Sequence, residues 1–117
     1  MAFRFETLNV WNHAREFSGA VYKVAERFPR HEAYGLTSQL YRAANAVPLL
    51  IAEGSALPSR PLFNHRLGLA QGEIAEVVCG AYLALDRKYI DETSRARLYL
   101  SGQVLARQLD KLRQTLR

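Results

Sequence analysis

Apolar residues recur along this chain at alternating intervals of four and three, in four separate series. The first is Thr7, Trp11, Ala14, Ser18, Val21, Ala25 and Phe28, with small or polar residues filling some places. The second is Leu36, Leu40, Ala43, Val47, Leu50 and Gly54. The third is Phe63, Leu67, Ala70, Ile74, Val77, Ala81 and Leu85, and the fourth is Leu98, Gly102, Leu105, Leu109, Leu112 and Leu116. Such spacing gathers side chains on one face of an α-helix. A strand needs strict alternation, and no alternating run or Asn-Gly or Asp-Gly hairpin is present.

Breaks fall between the series. Pro29 disfavours helical geometry in Phe28 before it. Ala56-Leu57-Pro58-Ser59 separates the second and third helices, with Ser59 placed to cap the third and Pro61 tolerated in its first turn. Lys88-Tyr89-Ile90 is a turn, and Asp91 can cap the fourth helix. Short connections between long helices place neighbours antiparallel. The expected fold is all-α: an antiparallel up-down-up-down four-helix bundle, one domain over residues 1–117.

Composition excludes several classes. The chain is 49% apolar and 23% charged, too apolar for disorder. No apolar run reaches the ~18 residues of a membrane span, and Met1-Ala2-Phe3-Arg4-Phe5-Glu6 lacks a secretory pattern. A soluble, cytoplasmic protein without a membrane partner is expected. The single Cys79 precludes an internal disulfide and any Cys-based zinc site. Lying among Val77, Val78 and Ala81, it reads as a small, inert core residue.

Helix 2 is unusual in two ways. Pro48 lies inside it, lacking an N–H and crowding the carbonyl four residues back, so a kink or interruption is expected. Its apolar surface is also broad. Gln39, Arg42, Ala46, Leu49 and Glu53 form a second stripe about 100° round the axis from the first. Either one bundle buries this helix all round, or the second stripe faces another subunit. Arg42 and Glu53 would edge such an interface, and Gln39, Arg42, Ala46, Leu49, Leu50 and Glu53 are its expected residues.

Catalytic and cofactor signals are sparse. Glu73 and Glu76 form a Glu-x-x-Glu, but no Glu-x-x-His accompanies them, and His13, His31 and His65 are scattered. Neither a metal site nor another cofactor site is expected. No glycine spacing matches a phosphate-binding loop; Gly68, Gly72 and Gly80 in helix 3 point to close helix approach.

Charge is more informative. The chain carries a formal net charge of +5. Residues 1–86 hold 8 basic and 8 acidic side chains, whereas residues 87–117 hold 8 basic and 3 acidic. A basic segment favours polyanions. Arginine, whose fork suits phosphate, supplies 13 of the 16 basic residues. On a helical wheel with Leu98 at zero, Arg95 and Arg113 lie near 60° and Arg117 near 100°. Arg97, Arg107 and Lys111 lie farther round the polar arc. These six are the expected phosphate contacts, reading charge and shape but not sequence.

Several motifs resemble a known family. Leu8-Asn9-Val10-Trp11 is similar to its Leu-x-Val-Trp start. Phe28-Pro29 with Glu32-Ala33-Tyr34-Gly35-Leu36-Thr37-Ser38-Gln39 resembles its Phe-Pro and Glu-x-Tyr-Gly-Leu-x-x-Gln signature. Arg42-Ala43-Ala44 and Ile51-Ala52-Glu53-Gly54 resemble its Arg-Ala-Ala and Ile-Ala-Glu-Gly blocks. The family is the four-helix-bundle proteins called 23S rRNA intervening sequence proteins. The resemblance implies a helical bundle assembling into a homopentameric ring, with no enzymatic activity. It also implies a fold similar to the accessory protein of diversity-generating retroelements, a basic pentamer that binds nucleic acid and a reverse transcriptase. Ala46-Val47-Pro48-Leu49-Leu50 departs from the family's Ser-Ile-Pro-x-Asn by losing both polar residues. Glu73 stands where the family's helix 3 has Ser. Both changes agree with a drier interface.

The sequence therefore leads to a homo-oligomeric adaptor that binds RNA or DNA through helix 4. A protein-interaction scaffold, docking a reverse transcriptase or another protein, is the alternative. An enzyme built on Arg42, Glu53 and Glu76 is a third possibility, opposed by a plain interface salt-bridge network.

Overall fold

Four α-helices carry the chain: α1 Asn9–Ala25, α2 Leu36–Ala56, α3 Arg60–Asp86 and α4 Glu92–Thr115. Two single 3₁₀ turns, Arg4–Thr7 and Arg30–Glu32, precede α1 and α2. The computed structural model describes residues 2–117; Met1 lies outside them. Among the described residues there is no strand.

Local chemistry sets the helix ends. Ser59 Oγ accepts the Leu62 N–H at 3.3 Å, and Asp91 Oδ1 accepts the Ser94 N–H at 2.8 Å. Each satisfies one of the orphan donors of a helix start. α2 begins after Gly35, which has no side chain to offer. Glu32 substitutes from one turn upstream, its Oε1 accepting the Leu36 N–H at 3.0 Å. A β-carbon on Gly35 would lie 2.6 Å from that oxygen, so glycine makes room for the cap. Glu-x-Tyr-Gly-Leu is thus a helix-starting device in this chain.

α3 ends with Lys88 in the left-handed region at φ 64°. The Lys88 N–H donates to Leu85 O at 3.0 Å and the Tyr89 N–H to Ala84 O at 2.9 Å. This pair of bonds is the Schellman closure, in which glycine is the usual left-handed residue.

The core draws on all four helices, and its largest fully buried side chains include Leu40, Ile51, Phe63, Leu67, Leu105 and Leu109. α1 packs on α2, α2 on α3, α3 on α4, and α4 back on α1, which closes the bundle. Leu40, early in α2, fills the space above Gly80, late in α3. Gly54, late in α2, faces Phe63, early in α3. The bundle measures 44 × 22 × 22 Å.

The buried faces differ in detail from the spacing. In α1 the buried residues are Val10, Ala14, Phe17, Val21 and Ala25. Thr7 is exposed, and Trp11 and Ser18 are only half-buried. The buried face is turned by about one residue, with Val10 in the place expected of Trp11 and Phe17 in that of Ser18. Trp11 instead packs at the rim, between Phe5 and the Arg15 guanidinium. In α3, Gly80 and Ala84 are buried and Leu85 is half-buried. Pro48 does not interrupt α2; it only deprives the carbonyl of Ala44, a buried residue, of its helical donor. Cys79 is exposed, not a core residue. It stands about 200° round α3 from buried Val77, on the far side of the helix. Gly72 makes no close approach, because a β-carbon there would meet nothing within 4 Å.

Candidate nucleic-acid interface

The six cations expected on helix 4 divide into two groups, and one of them, Arg117, lies just past the end of α4. Arg95 is held at home. Its Nε and Nη2 donate to the two carboxylate oxygens of Glu92 at 2.7 and 2.6 Å. Its guanidinium lies over the rings of Tyr82 and Tyr99, leaving the side chain 13% exposed. The same hydrogen bonds hold the Glu92 carboxyl below the usual range, against some desolvation. Arg113 is an internal clasp. Its Nε donates to Asn64 Oδ1 at 2.7 Å and its Nη1 to Gln71 Oε1 at 2.6 Å. Gln71 Nε2 in turn donates to Ala106 O at 3.2 Å. The guanidinium rests against Gly68, where a β-carbon would come within 3.1 Å of it. Both arginines border the buried face, about 60° from Leu98, so both reach α3.

Arg97, Arg107, Lys111 and Arg117 point away from the core and are exposed. None is among the ion pairs of the described residues. They form no compact patch. Arg107 and Lys111 lie ten and fourteen residues beyond Arg97, about 15 and 21 Å along α4. Arg97 instead lines a groove of about 640 Å³ with Lys23 and Arg27 from the end of α1 and Lys88 from the α3–α4 turn. Those three cations are absent from the sequence-derived set. Lys23 and Arg27 are four apart at the end of α1, where basic residues ordinarily complement the helix dipole. Only the fold brings them to α4.

The expected interface stripe on α2 is open. Gln39, Arg42, Leu49 and Glu53 are exposed, and Ala46 and Leu50 half-buried. One bundle therefore does not bury α2 all round. Leu49 is 62% exposed. The α2–α3 register sets it level with Leu69 of α3, which with Leu62 and Leu83 is also exposed. Arg42 lies on the same face, donating from Nη2 to Glu76 Oε2 at 2.6 Å with Nη1 3.6 Å from Glu73. Oε2 of Glu73 is buried without a hydrogen-bond partner. Glu53 sits eleven residues past Arg42, about 16 Å along the helix, so Arg42, Glu53 and Glu76 form no common cluster. Among the described residues no group of three His, Cys, Asp or Glu side chains could hold a metal ion. No helix among them is long and apolar enough to cross a membrane.

The family model of the 23S rRNA-intervening sequence protein matches residues 6–111. The chain belongs to that family. In this 23S rRNA-intervening sequence protein Glu32 and Gly35 serve to start a helix and Gly54 serves packing. One similar solved structure is that of a protein of unknown function from Bacteroides thetaiotaomicron VPI-5482, ascribed to the S23 ribosomal protein family. It is 19% identical, with a TM-score of 0.78, and the match covers 88% of this chain and 96% of that one. At that identity the likeness concerns the fold alone. No curated protein matches the chain.

Proposed function

We propose that this 23S rRNA-intervening sequence protein is a non-enzymatic, homo-oligomeric adaptor that binds RNA or DNA through its phosphates. The observation that carries this reading is the set of exposed cations Arg97, Arg107 and Lys111 on α4 and Arg117 just beyond it, none ion-paired among the described residues. Contacts of this kind position a polyanion without selecting its bases. In the same reading the chain is a single cytoplasmic domain, an up-down-up-down bundle of antiparallel helices. The pairings of Leu40 with Gly80 and of Gly54 with Phe63 support the opposed direction of α2 and α3.

Copies of the chain assemble through the α2–α3 face, in a ring of five by family resemblance. The exposed Leu49, Leu62 and Leu69 support that face. Fluorescence anisotropy against a structured RNA and a duplex DNA at two salt concentrations tests the function. Binding is expected to fall steeply with salt and to weaken when Arg107, Lys111 and Arg117 are changed together to Glu. Undiminished binding by that triple variant, or none by wild type at low salt, refutes the α4 surface.

The open apolar face also favours a second reading, a scaffold that docks a reverse transcriptase or other protein without touching nucleic acid. It predicts stable oligomers in light scattering together with no anisotropy change at near-physiological salt.

A further inference from the structure

We infer that the groove between the end of α1 and the start of α4 is a phosphodiester-binding site. In it Lys23, Arg27, Lys88 and Arg97 grip backbone phosphates of a bound nucleic-acid strand. This rests on the nucleic-acid reading above and moves its strongest contact from the α4 surface to one end of the bundle.

Charge density is the first ground. Four cations from three separated segments line one groove of about 640 Å³. None of the four is ion-paired among the described residues. Only one carboxylate lines the groove with them, Asp91. One of its oxygens is already engaged in capping Ser94, which chiefly holds its carboxyl below the usual range. Three arginines elsewhere are neutralised by acids, Arg42 by Glu76, Arg87 by Glu32 and Arg95 by Glu92. The groove is left with a surplus that an anion would satisfy.

Preorganisation is the second. Lys88 occupies the left-handed position of the α3 closure, where a residue with a β-carbon is strained and glycine is not. The turn carrying it is fixed from behind. Tyr89 Oη donates to Glu32 Oε2 at 2.8 Å, and Arg87 Nη1 reaches the same oxygen at 3.1 Å. A site already ordered gives up little entropy on binding.

The walls define what is recognised. Val24, Leu85 and Ile90 are apolar, and the Tyr89 ring packs against Phe28 with centroids 5.5 Å apart. Tyr89 is the one aromatic among these lining residues and its hydroxyl is tied to Glu32, so the groove reads chiefly backbone and tolerates sequence. Its size lies within the usual range of small-ligand sites, about 300–1,000 Å³, room for a short stretch of backbone.

The test uses the full chain and fluorescence anisotropy at several salt concentrations, with inorganic phosphate in a separate arm. The variants are Lys23→Ala/Arg27→Ala/Arg97→Ala, Lys88→Gly alone, and Arg107→Glu/Lys111→Glu/Arg117→Glu, each checked for folding by thermal melting. The groove triple variant is expected to bind RNA and DNA at least tenfold more weakly, with the salt slope reduced by about 2 to 3. Lys88→Gly should lower the slope by about 1 while melting no lower than wild type. If wild type binds and the groove variants match it in affinity and slope, the groove is refuted while the nucleic-acid reading stands. If wild type binds no nucleic acid at low salt, that reading fails first. Inorganic phosphate binding lost in the groove variant, with no nucleic-acid binding, assigns the cations to a free anion and overturns the inference.

Discussion

Two side chains show how a single residue can carry both stability and function. Lys88 holds a backbone position suited to glycine. Lys88→Gly is therefore expected to stabilise the fold by about 1 kcal/mol, seen as a higher urea midpoint at unchanged slope. Glu32 links three segments through its carboxylate. The Leu36 N–H, the Tyr89 hydroxyl and the Arg87 charge all favour its ionised form, outweighing desolvation and keeping its pKa low in the folded chain. Its contribution is present above the unfolded glutamate pKa of about 4.3 and fades as pH falls through the lower folded value. Urea titrations from pH 6 to pH 2 should show the stability gap between wild type and Glu32→Gln narrowing on acidification. A gap constant with pH would mean that Glu32 acts without its charge. Neither role was legible in the sequence. A lysine carries no sign of its φ, and Glu32 read only as part of a family motif. Cys79 misled for a related reason: apolar neighbours in sequence point in different directions on a helix.

Helices were far more legible, because the four-three spacing and the breakers are local. The caps Ser59 and Asp91 and the turn at Lys88-Tyr89-Ile90 fall where side-chain chemistry places them. What the spacing could not fix was which of two adjacent apolar series faces inward. In α1, Phe17 took the core side from Ser18, since larger apolar groups gain more from burial, and Val10 took it from Trp11, whose ring packs at the rim on Phe5 and Arg15. The close α2–α3 approach has a measurable consequence. A β-carbon at Gly54 would sit 2.7 Å from the ring of Phe63, itself buried and without room to yield. Gly54→Ala should cost about 1–3 kcal/mol in urea unfolding. Gly19, in α1, has nothing within 4 Å of that position. Gly19→Ala should instead stabilise by up to about 1 kcal/mol through helix propensity. If both substitutions moved stability the same way, the packing at Gly54 would be misdescribed.

Across the whole molecule, the sequence located the charge excess but not its geography. Counting along the chain assigned it to residues 87–117. Folding ties down Arg95 and Arg113 and draws Lys23 and Arg27 from the neutral part to meet Lys88 and Arg97. On the α2 stripe Gln39, Arg42, Leu49 and Glu53 are exposed, and Leu49 stands level with exposed Leu69. Leu49→Glu/Leu69→Glu should shift the protein to a monomer in light scattering with its melting otherwise intact. An unchanged oligomer would place the contact on another face.

The separation of Arg97 from Lys111 makes the molecule a ruler. Fourteen residues of α4 span about 21 Å and return to within about 40° of the same face. Duplex DNA rises 3.4 Å per base pair, so one straight duplex touching both needs about six base pairs. Affinity measured over a ladder of duplex lengths should climb to that length and level off beyond it, apart from the extra positions a longer duplex offers. The bundle would then select the extent of a nucleic acid while remaining indifferent to what is written in it.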